Sequence, residues 1–132
     1  MYRASTPSFL YKTALLGAAA ASLIAGSPAH AGSWVNGSYA NGYGTRTYRL
    51  WVPTGYVPGQ PIPMVVALHG CQHTPDDFAN LTRFNTLADA QKFFVLYPAQ
   101  SNVANPALCW NYFDAANQSR GAGEPSIVAG II

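Results

Sequence analysis

Two patterns of hydrophobic residues along the chain predict two kinds of β-strand. Residues 45–52 (TRTYRLWV) are β-branched or aromatic at most positions, which predicts a strand near the edge of a sheet that ends at Pro53. The preceding Asn41-Gly42 pair is typical of a tight turn between two strands. Residues 64–68 (MVVAL) and 93–97 (FFVLY) are continuous apolar runs, which predict strands buried on both faces of a parallel sheet.

A single helix is predicted between the two buried strands. Thr74 is a suitable N-cap, Pro75 follows at the first helical position, and Asp77 stands three residues after the cap, as in a capping box. Apolar residues then recur at helical spacing through Gln91. Strand, helix and strand in this order predict a βαβ unit and therefore an α/β fold.

The last part of the chain is less regular. Residues 99–123 have no clear periodicity, although the aromatic cluster at 109–113 (CWNYF) indicates packed structure. Residues 124–132 (EPSIVAGII) predict the opening of another helix, with Pro125 in its first turn. The chain then ends on two isoleucines without a helix cap, and we expect from this that it is truncated within a domain.

Residues 1–31 are predicted to be a signal peptide. Arg3 and Lys12 give a positive start, residues 14–26 form an uncharged apolar run, and Ala29-His30-Ala31 is a small-x-small cleavage pattern. An uncleaved membrane anchor is the alternative, but the apolar run is shorter than the about 20 residues that cross a bilayer. Cleavage predicts a protein secreted to the periplasm or the extracellular space, with residues 32–132 as the mature domain.

Removal of the leader changes the charge of the protein. The full chain has a formal charge of +2, whereas in residues 32–132 five basic residues balance five acidic ones. A neutral domain without a basic patch gives no electrostatic support for binding nucleic acid, or a membrane after the leader is cleaved. We therefore expect neither partner.

The two cysteines, Cys71 and Cys109, have two interpretations. In an oxidising compartment an even pair predicts a disulfide. Two buried free thiols are the alternative, and only geometry decides between them.

The segment from Leu68 to Gln72 (LHGCQ) carries the most chemical information. A buried strand that breaks into a His-Gly turn is one way in which hydrolases build half of an oxyanion hole, because backbone N–H groups then point at a developing negative oxygen. The backbone N–H groups of Cys71 and Gln72 are the candidate donors, and Gly70 would permit the tight turn. His69 is expected to be a structural imidazole that hydrogen-bonds the turn and not a catalytic base.

Residue types that other mechanisms need are absent from the sequence or dispersed along it. No serine lies in a G-x-S-x-G elbow, and there is no G-x-G-x-x-G or phosphate-binding loop. His73 is expected to be exposed or to line a cleft, and two mature histidines with scattered carboxylates make no metal set. We expect no metal and no cofactor, and a nucleophile, acid and base that lie beyond the chain end.

Four groups of residues occur together in an order that indicates a known family: His69-Gly70-Cys71, Tyr97-Pro98-Ala99-Gln100, Cys109-Trp110-Asn111 with Phe113, and Arg120-Gly121 followed by Gly123-Glu124-Pro125. Together they resemble the N-terminal part of the poly(3-hydroxybutyrate) depolymerase-like esterase family. The resemblance covers nearly all of residues 32–132. It implies a partial α/β-hydrolase fold, in which antiparallel strands precede the βαβ unit and the chain ends before the nucleophile elbow.

The resemblance also implies a function. Members are secreted esterases that cleave poly(3-hydroxyalkanoate) or related esters with a serine nucleophile, so a complete relative would bind a polyester or another ester. The resemblance carries over the oxyanion-hole segment around Cys71 and suggests its pairing with Cys109. Trp110 and Tyr112 would line the substrate cleft or pack under the long loop. The chain by itself is predicted to be inactive.

Two other interpretations remain open. A non-catalytic secreted module would bind polymer or carbohydrate through tryptophans and tyrosines, but it would not need the βαβ pattern or the His-Gly turn. A product that does not fold alone would expose the edge of an incomplete sheet and aggregate.

Overall fold

Residues 31–132 form a mixed four-stranded sheet with helices on both of its faces, in a computed structural model that describes this part of the chain. The predicted leader lies outside the described residues except for Ala31. In chain order the elements are β1 (Ser33–Asn41), β2 (Gly44–Val52), β3 (Met64–Val66), α1 (Pro75–Thr82), α2 (Phe84–Gln91), β4 (Phe94–Pro98), a 3₁₀ turn (Ala115–Asn117) and α3 (Gly123–Ile131).

The strands lie in the order β1-β2-β4-β3. Strand β2 pairs antiparallel with both β1 and β4, and β3 pairs parallel with β4. Antiparallel strands therefore precede a βαβ unit, as the sequence predicts. The mixed sheet with its helices is compatible with part of a hydrolase-like α/β fold.

The hairpin between β1 and β2 has its turn where the sequence predicts one. Asn41 pairs with Gly44, so Gly42 and Tyr43 form a two-residue loop, and the Tyr43 N–H donates to Asn41 Oδ1 at 2.9 Å. Strand β2 lies one position in from the edge of the sheet, because β1 forms that edge.

The prediction that residues 64–68 form a strand buried on both faces is wrong in two respects. Strand β3 includes only residues 64–66, and the side chains of Met64 and Val65 are exposed. The reason is that β3 has β4 on one side and no strand on the other among residues 31–132. An apolar run is buried only where neighbouring elements cover it. Strand β4 has such neighbours, and its Val95, Leu96 and Tyr97 are almost completely buried.

The single helix predicted over residues 75–91 is two helices. The capping box of α1 is present, with the Thr74 side chain accepting from the Asp77 N–H and the Asp77 carboxylate accepting from the Thr74 N–H. Arg83 adopts a left-handed conformation with a φ of 53° and separates α1 from α2. Its N–H still donates to the Ala79 carbonyl, so the break costs no backbone hydrogen bond there. Among residues 31–132, no helix is both long and apolar enough to cross a bilayer.

The two faces of the sheet are covered by different helices. Helices α1 and α2 cover the face that carries Trp51, whose indole N–H donates to Asp89 of α2 at 3.1 Å. Helix α3 covers the face that carries Arg46. Tyr97 lies in the core under α1 and α2, where loss of hydration raises the pKa of its hydroxyl to about 12.

Candidate functional site

The chain turns sharply after β3. The Ala67 N–H extends the pairing with β4 by donating to the Leu96 carbonyl at 2.8 Å, and the His73 N–H then donates to the Gly70 carbonyl at 3.2 Å. Residues 70–73 therefore form a β-turn, in which Gln72 has a left-handed φ of 62°. This turn is the predicted oxyanion segment.

The imidazole of His69 is buried, with 2% of the residue exposed. Its Nδ1 lies 2.8 Å from the Gly70 carbonyl oxygen, and its Nε2 lies 3.0 Å from the backbone nitrogen of Gln100. Because a carbonyl only accepts and a backbone N–H only donates, we assign the proton to Nδ1. Both ring nitrogens are thus engaged in supporting the turn, and the ring contacts Trp110 at a centroid distance of 5.7 Å.

A disulfide joins Cys71 in the turn to Cys109 in the long loop after β4, with Cα atoms 4.1 Å apart. The two cysteines are therefore not free thiols. The bridge places the aromatic cluster at 109–113 beside the turn.

The two predicted N–H donors differ. The Gln72 N–H donates to the Ala107 carbonyl at 2.7 Å, so it is not available to an external oxygen. The Cys71 N–H has no hydrogen-bond acceptor within residues 31–132, and Cys71 is exposed. We therefore revise the candidate set to the Cys71 N–H alone.

The sequence suggested that a glycine at position 70 permits the tight turn, but the backbone there does not require one. The φ of Gly70 is not left-handed, and a Cβ built on it would meet only His73 Nδ1, at 3.6 Å. The residue that takes the left-handed conformation is Gln72. The backbone here is shaped by hydrogen bonds and the disulfide and not by the freedom of glycine.

An open apolar cleft of about 340 Å³ lies between the aromatic cluster and α3. Leu68, Trp110 and Tyr112 line it together with residues of α3 that include Val128 and Ile132. Tyr112 is 75% exposed, whereas Trp110 is partly buried against His69. Trp110 thus both lines the cleft and packs under the loop, and Tyr112 stands at the cleft as an exposed side chain.

His73 is half-buried beside Gly70, and within the described chain no three His, Cys, Asp or Glu side chains converge as a metal site would require.

Sequence reasoning missed a buried polar network centred on Glu124, at the N-terminus of α3. Its Oε1 accepts from Arg46 Nη2 at 3.0 Å, from Asn111 Nδ2 at 2.9 Å and from the Gln100 side-chain amide. Its Oε2 accepts from the Asn111 N–H at 2.7 Å, and its own N–H donates to Asn117 Oδ1. The sequence does contain a signal for this network, because Glu124, followed by Pro125, is the charged residue at the start of an otherwise mostly apolar helix.

Comparison with known proteins places these features in a family. The family model described as esterase PHB depolymerase matches residues 46–132. The chain is 38% identical over 73 residues to poly(3-hydroxyalkanoate) depolymerase C of Paucimonas lemoignei. This match covers 55% of this chain and 17% of that protein. It is also 38% identical over 64 residues to feruloyl esterase B of Neurospora crassa. That match covers 48% of this chain and 21% of that protein.

The matched regions thus span about a fifth of each relative's length. The family match extends from β2 to α3 and includes the turn at residues 70–73, both cysteines and Glu124. The chain therefore belongs to the esterase PHB depolymerase family, a family of ester hydrolases.

Proposed function

We propose that this chain is the N-terminal part of a secreted carboxylic-ester hydrolase, in which it supplies one side of the oxyanion hole. The substrate class would be a poly(3-hydroxyalkanoate) or a related ester, as the names of the two relatives suggest. The serine nucleophile, the acid and the base would come from residues outside these 132, because the sequence holds no G-x-S-x-G elbow.

The observation that carries the proposal is the N–H of Cys71, which has no acceptor among residues 31–132. It lies in a turn that His69, the disulfide and the Gln72–Ala107 hydrogen bond hold in place. When a serine attacks an ester carbonyl, the carbonyl oxygen becomes negative, and a preorganised N–H donor stabilises that charge without having to reorient. A donor so constrained meets that requirement.

The apolar cleft supports an ester substrate over a charged one. Its walls are aliphatic and aromatic, and Glu124, the charged residue among those that line it, is paired with Arg46. We infer that Trp110 and Tyr112 contact the hydrocarbon part of the substrate.

Export of the protein is part of the proposal. A disulfide is expected in an oxidising compartment, and the predicted leader over residues 1–31 supplies the route. The N-terminal sequence of the protein recovered from culture medium or periplasm tests this, and Gly32 is expected as its first residue.

The catalytic proposal is tested with an esterase chimera, in which residues 46–132 replace the matching segment of the P. lemoignei depolymerase. The 132-residue chain alone should not hydrolyse a short-chain p-nitrophenyl ester, and the chimera should. Turnover by the chain alone that a serine-directed phosphonate abolishes would show that it contains a nucleophile after all.

The role of the Cys71 N–H is isolated by two variants in a Cys109→Ala background of the chimera. Cys71→Ala removes the sulfur and keeps the N–H, whereas Cys71→Pro removes both. We expect turnover to be lower in the proline variant by about 10²–10³-fold. Equal turnover in two folded variants would exclude the Cys71 N–H as an oxyanion donor.

A further inference from the structure

A continuous line of hydrogen bonds runs from α3 to the candidate oxyanion turn. Glu124 Oε1 accepts from the Gln100 side-chain amide, and the Gln100 backbone N–H donates to His69 Nε2 at 3.0 Å. His69 Nδ1 in turn donates to the Gly70 carbonyl at 2.8 Å. The line therefore ends on the peptide group that joins Gly70 to Cys71.

Because the hydrogen bonds end on this peptide group, they can fix the orientation of the Cys71 N–H. The Gly70 carbonyl and the Cys71 N–H belong to the same planar trans peptide, so they point in opposite directions and rotate together. Whatever fixes the carbonyl oxygen also fixes the direction of the N–H. The imidazole of His69 and the His73 N–H both hold that oxygen.

A second connection runs through the same glutamine. Gln100 Nε2 also donates to the Cys109 carbonyl at 2.8 Å, and Cys109 is bonded to Cys71 through the disulfide. Gln100 therefore acts on Cys71 from two sides, through the imidazole and through the sulfur bridge.

The members of this line are buried, which makes the coupling strong. Glu124, Gln100 and His69 are 8%, 6% and 2% exposed, so water has little access to replace a lost partner. Arg46, 4% exposed, balances the charge of Glu124 and anchors it to β2. If one of these hydrogen bonds is removed, a buried polar group loses its partner, and the neighbouring groups must move to offset that cost.

We propose that Glu124 and Gln100 are positioning residues for the oxyanion turn. They hold the imidazole of His69, and through it the Gly70–Cys71 peptide, in the orientation that offers the Cys71 N–H. This inference rests on the proposed function of that N–H, but the orientation itself is measurable without catalysis.

The first experiment uses the chain itself and NMR of His69 and Cys71. Glu124→Gln retains the shape of the side chain but turns one acceptor into a donor, so at least one of its present donors loses its partner. Gln100→Leu removes the side-chain hydrogen bonds to Glu124 and Cys109, and with them the acceptor of the Ser101 N–H. It leaves the backbone N–H that donates to His69 and the Arg46–Glu124 pair intact. The matched control is Asp114→Asn. Asp114 lies in the same loop after β4, and its carboxylate makes no hydrogen bond within residues 31–132.

We expect Glu124→Gln and Gln100→Leu each to shift the imidazole ¹⁵N resonances of His69 and the amide resonance of Cys71. Asp114→Asn should leave both unchanged. The double variant should shift the His69 and Cys71 resonances no more than the single variant with the larger effect does, because the two side chains belong to the same series of hydrogen bonds. Unchanged His69 and Cys71 resonances in Gln100→Leu would overturn the proposal, and this variant decides alone if Glu124→Gln does not fold.

Kinetics of the esterase chimera separate this inference from the proposed function. Gln100→Leu should lower kcat about 10-fold and leave KM unchanged, since only the transition state carries the oxyanion. Shifted resonances with an unchanged kcat would confirm the positioning of the peptide and refute the oxyanion role of Cys71. Unchanged resonances refute the positioning role, whatever the kinetics of the Cys71 variants show.

Discussion

Gly123 and Gly70 belong to neighbouring parts of the site and differ in what they tolerate. At Gly123 the backbone φ is +55°, and a Cβ would lie 2.2 Å from Asn117 Oδ1 and 2.6 Å from the Ala116 carbonyl oxygen. Both contacts are too close for any side chain. At Gly70 the nearest atom to a Cβ would be His73 Nδ1, at 3.6 Å, which is an ordinary contact. Of these two glycines, Gly123 is therefore the one that the fold requires.

Gly123→Ala is expected to destabilise the chain by about 1–3 kcal/mol, since it adds both backbone strain and overpacking. Gly70→Ala should change the free energy of unfolding by no more than about 0.5 kcal/mol. Urea unfolding followed by circular dichroism measures both. Equal losses for the two variants would contradict this account of the turn.

At the scale of elements, the start of α1 is defined by side chains and its end by the backbone. Thr74 Oγ1 accepts from the Asp77 N–H at 3.2 Å and donates to the Asp77 carboxylate at 2.7 Å. The hydrogen bonds from the Thr74 side chain and then from its backbone lower the pKa of Asp77 below its ordinary value of 3.8. The left-handed Arg83 ends the helix, and α2 starts from the same residue.

Thr74→Ala should lower the free energy of unfolding by about 1 kcal/mol at neutral pH. Because the folded pKa of Asp77 is lowered, its contribution is present above pH 3.8 and is lost as the pH falls through the lower folded value. The variant should therefore lose less stability than the parent on acidification. Urea unfolding across this pH range measures it.

Thr86→Ala is the matched control, since Thr86 is exposed in α2 and its hydroxyl caps no helix among residues 31–132. A loss as large for Thr86→Ala as for Thr74→Ala would show that the effect is not one of capping.

At the scale of the whole molecule, the disulfide connects parts that the sheet alone leaves apart. Cys71 follows β3 and Cys109 lies in the loop after β4, with a sequence separation of 38. The network around Glu124 then ties this loop to β2 and α3. The long loop is thus held by the disulfide, the buried polar cluster and the Gln72–Ala107 backbone hydrogen bond. None of these contacts requires a periodic pattern of apolar residues, and the loop has none.

Replacing both cysteines by alanine is expected to lower the free energy of unfolding by about 2–4 kcal/mol, since the bridge restricts the unfolded chain. Urea unfolding of the parent with and without a thiol reductant should give a similar difference. Reductant should have no effect on the double variant, and an effect there would mean that it acts elsewhere.

The local elements could be predicted from the sequence because their causes are local. The turn at Gly42, the capping box at Thr74 and the helix opened by Pro125 depend on residues within one turn of each other. The break at Arg83 was missed because helical periodicity continues through it, and the short β3 was missed because an apolar run does not reveal its neighbours.

The sequence by itself determined the α/β order of elements, the family and the segment that holds the candidate donor, since motifs and periodicity lie in neighbouring residues. Only the tertiary structure decided which of the two candidate N–H groups has no acceptor in the described part of the chain. The Gln72 N–H is taken by Ala107, a residue 35 positions away, and the Cys71 N–H is not. It also decided that Glu124 and Arg46, 78 positions apart, form a buried pair. Hydrogen bonds between distant segments depend on how the sheet and helices pack, and no local pattern records that packing.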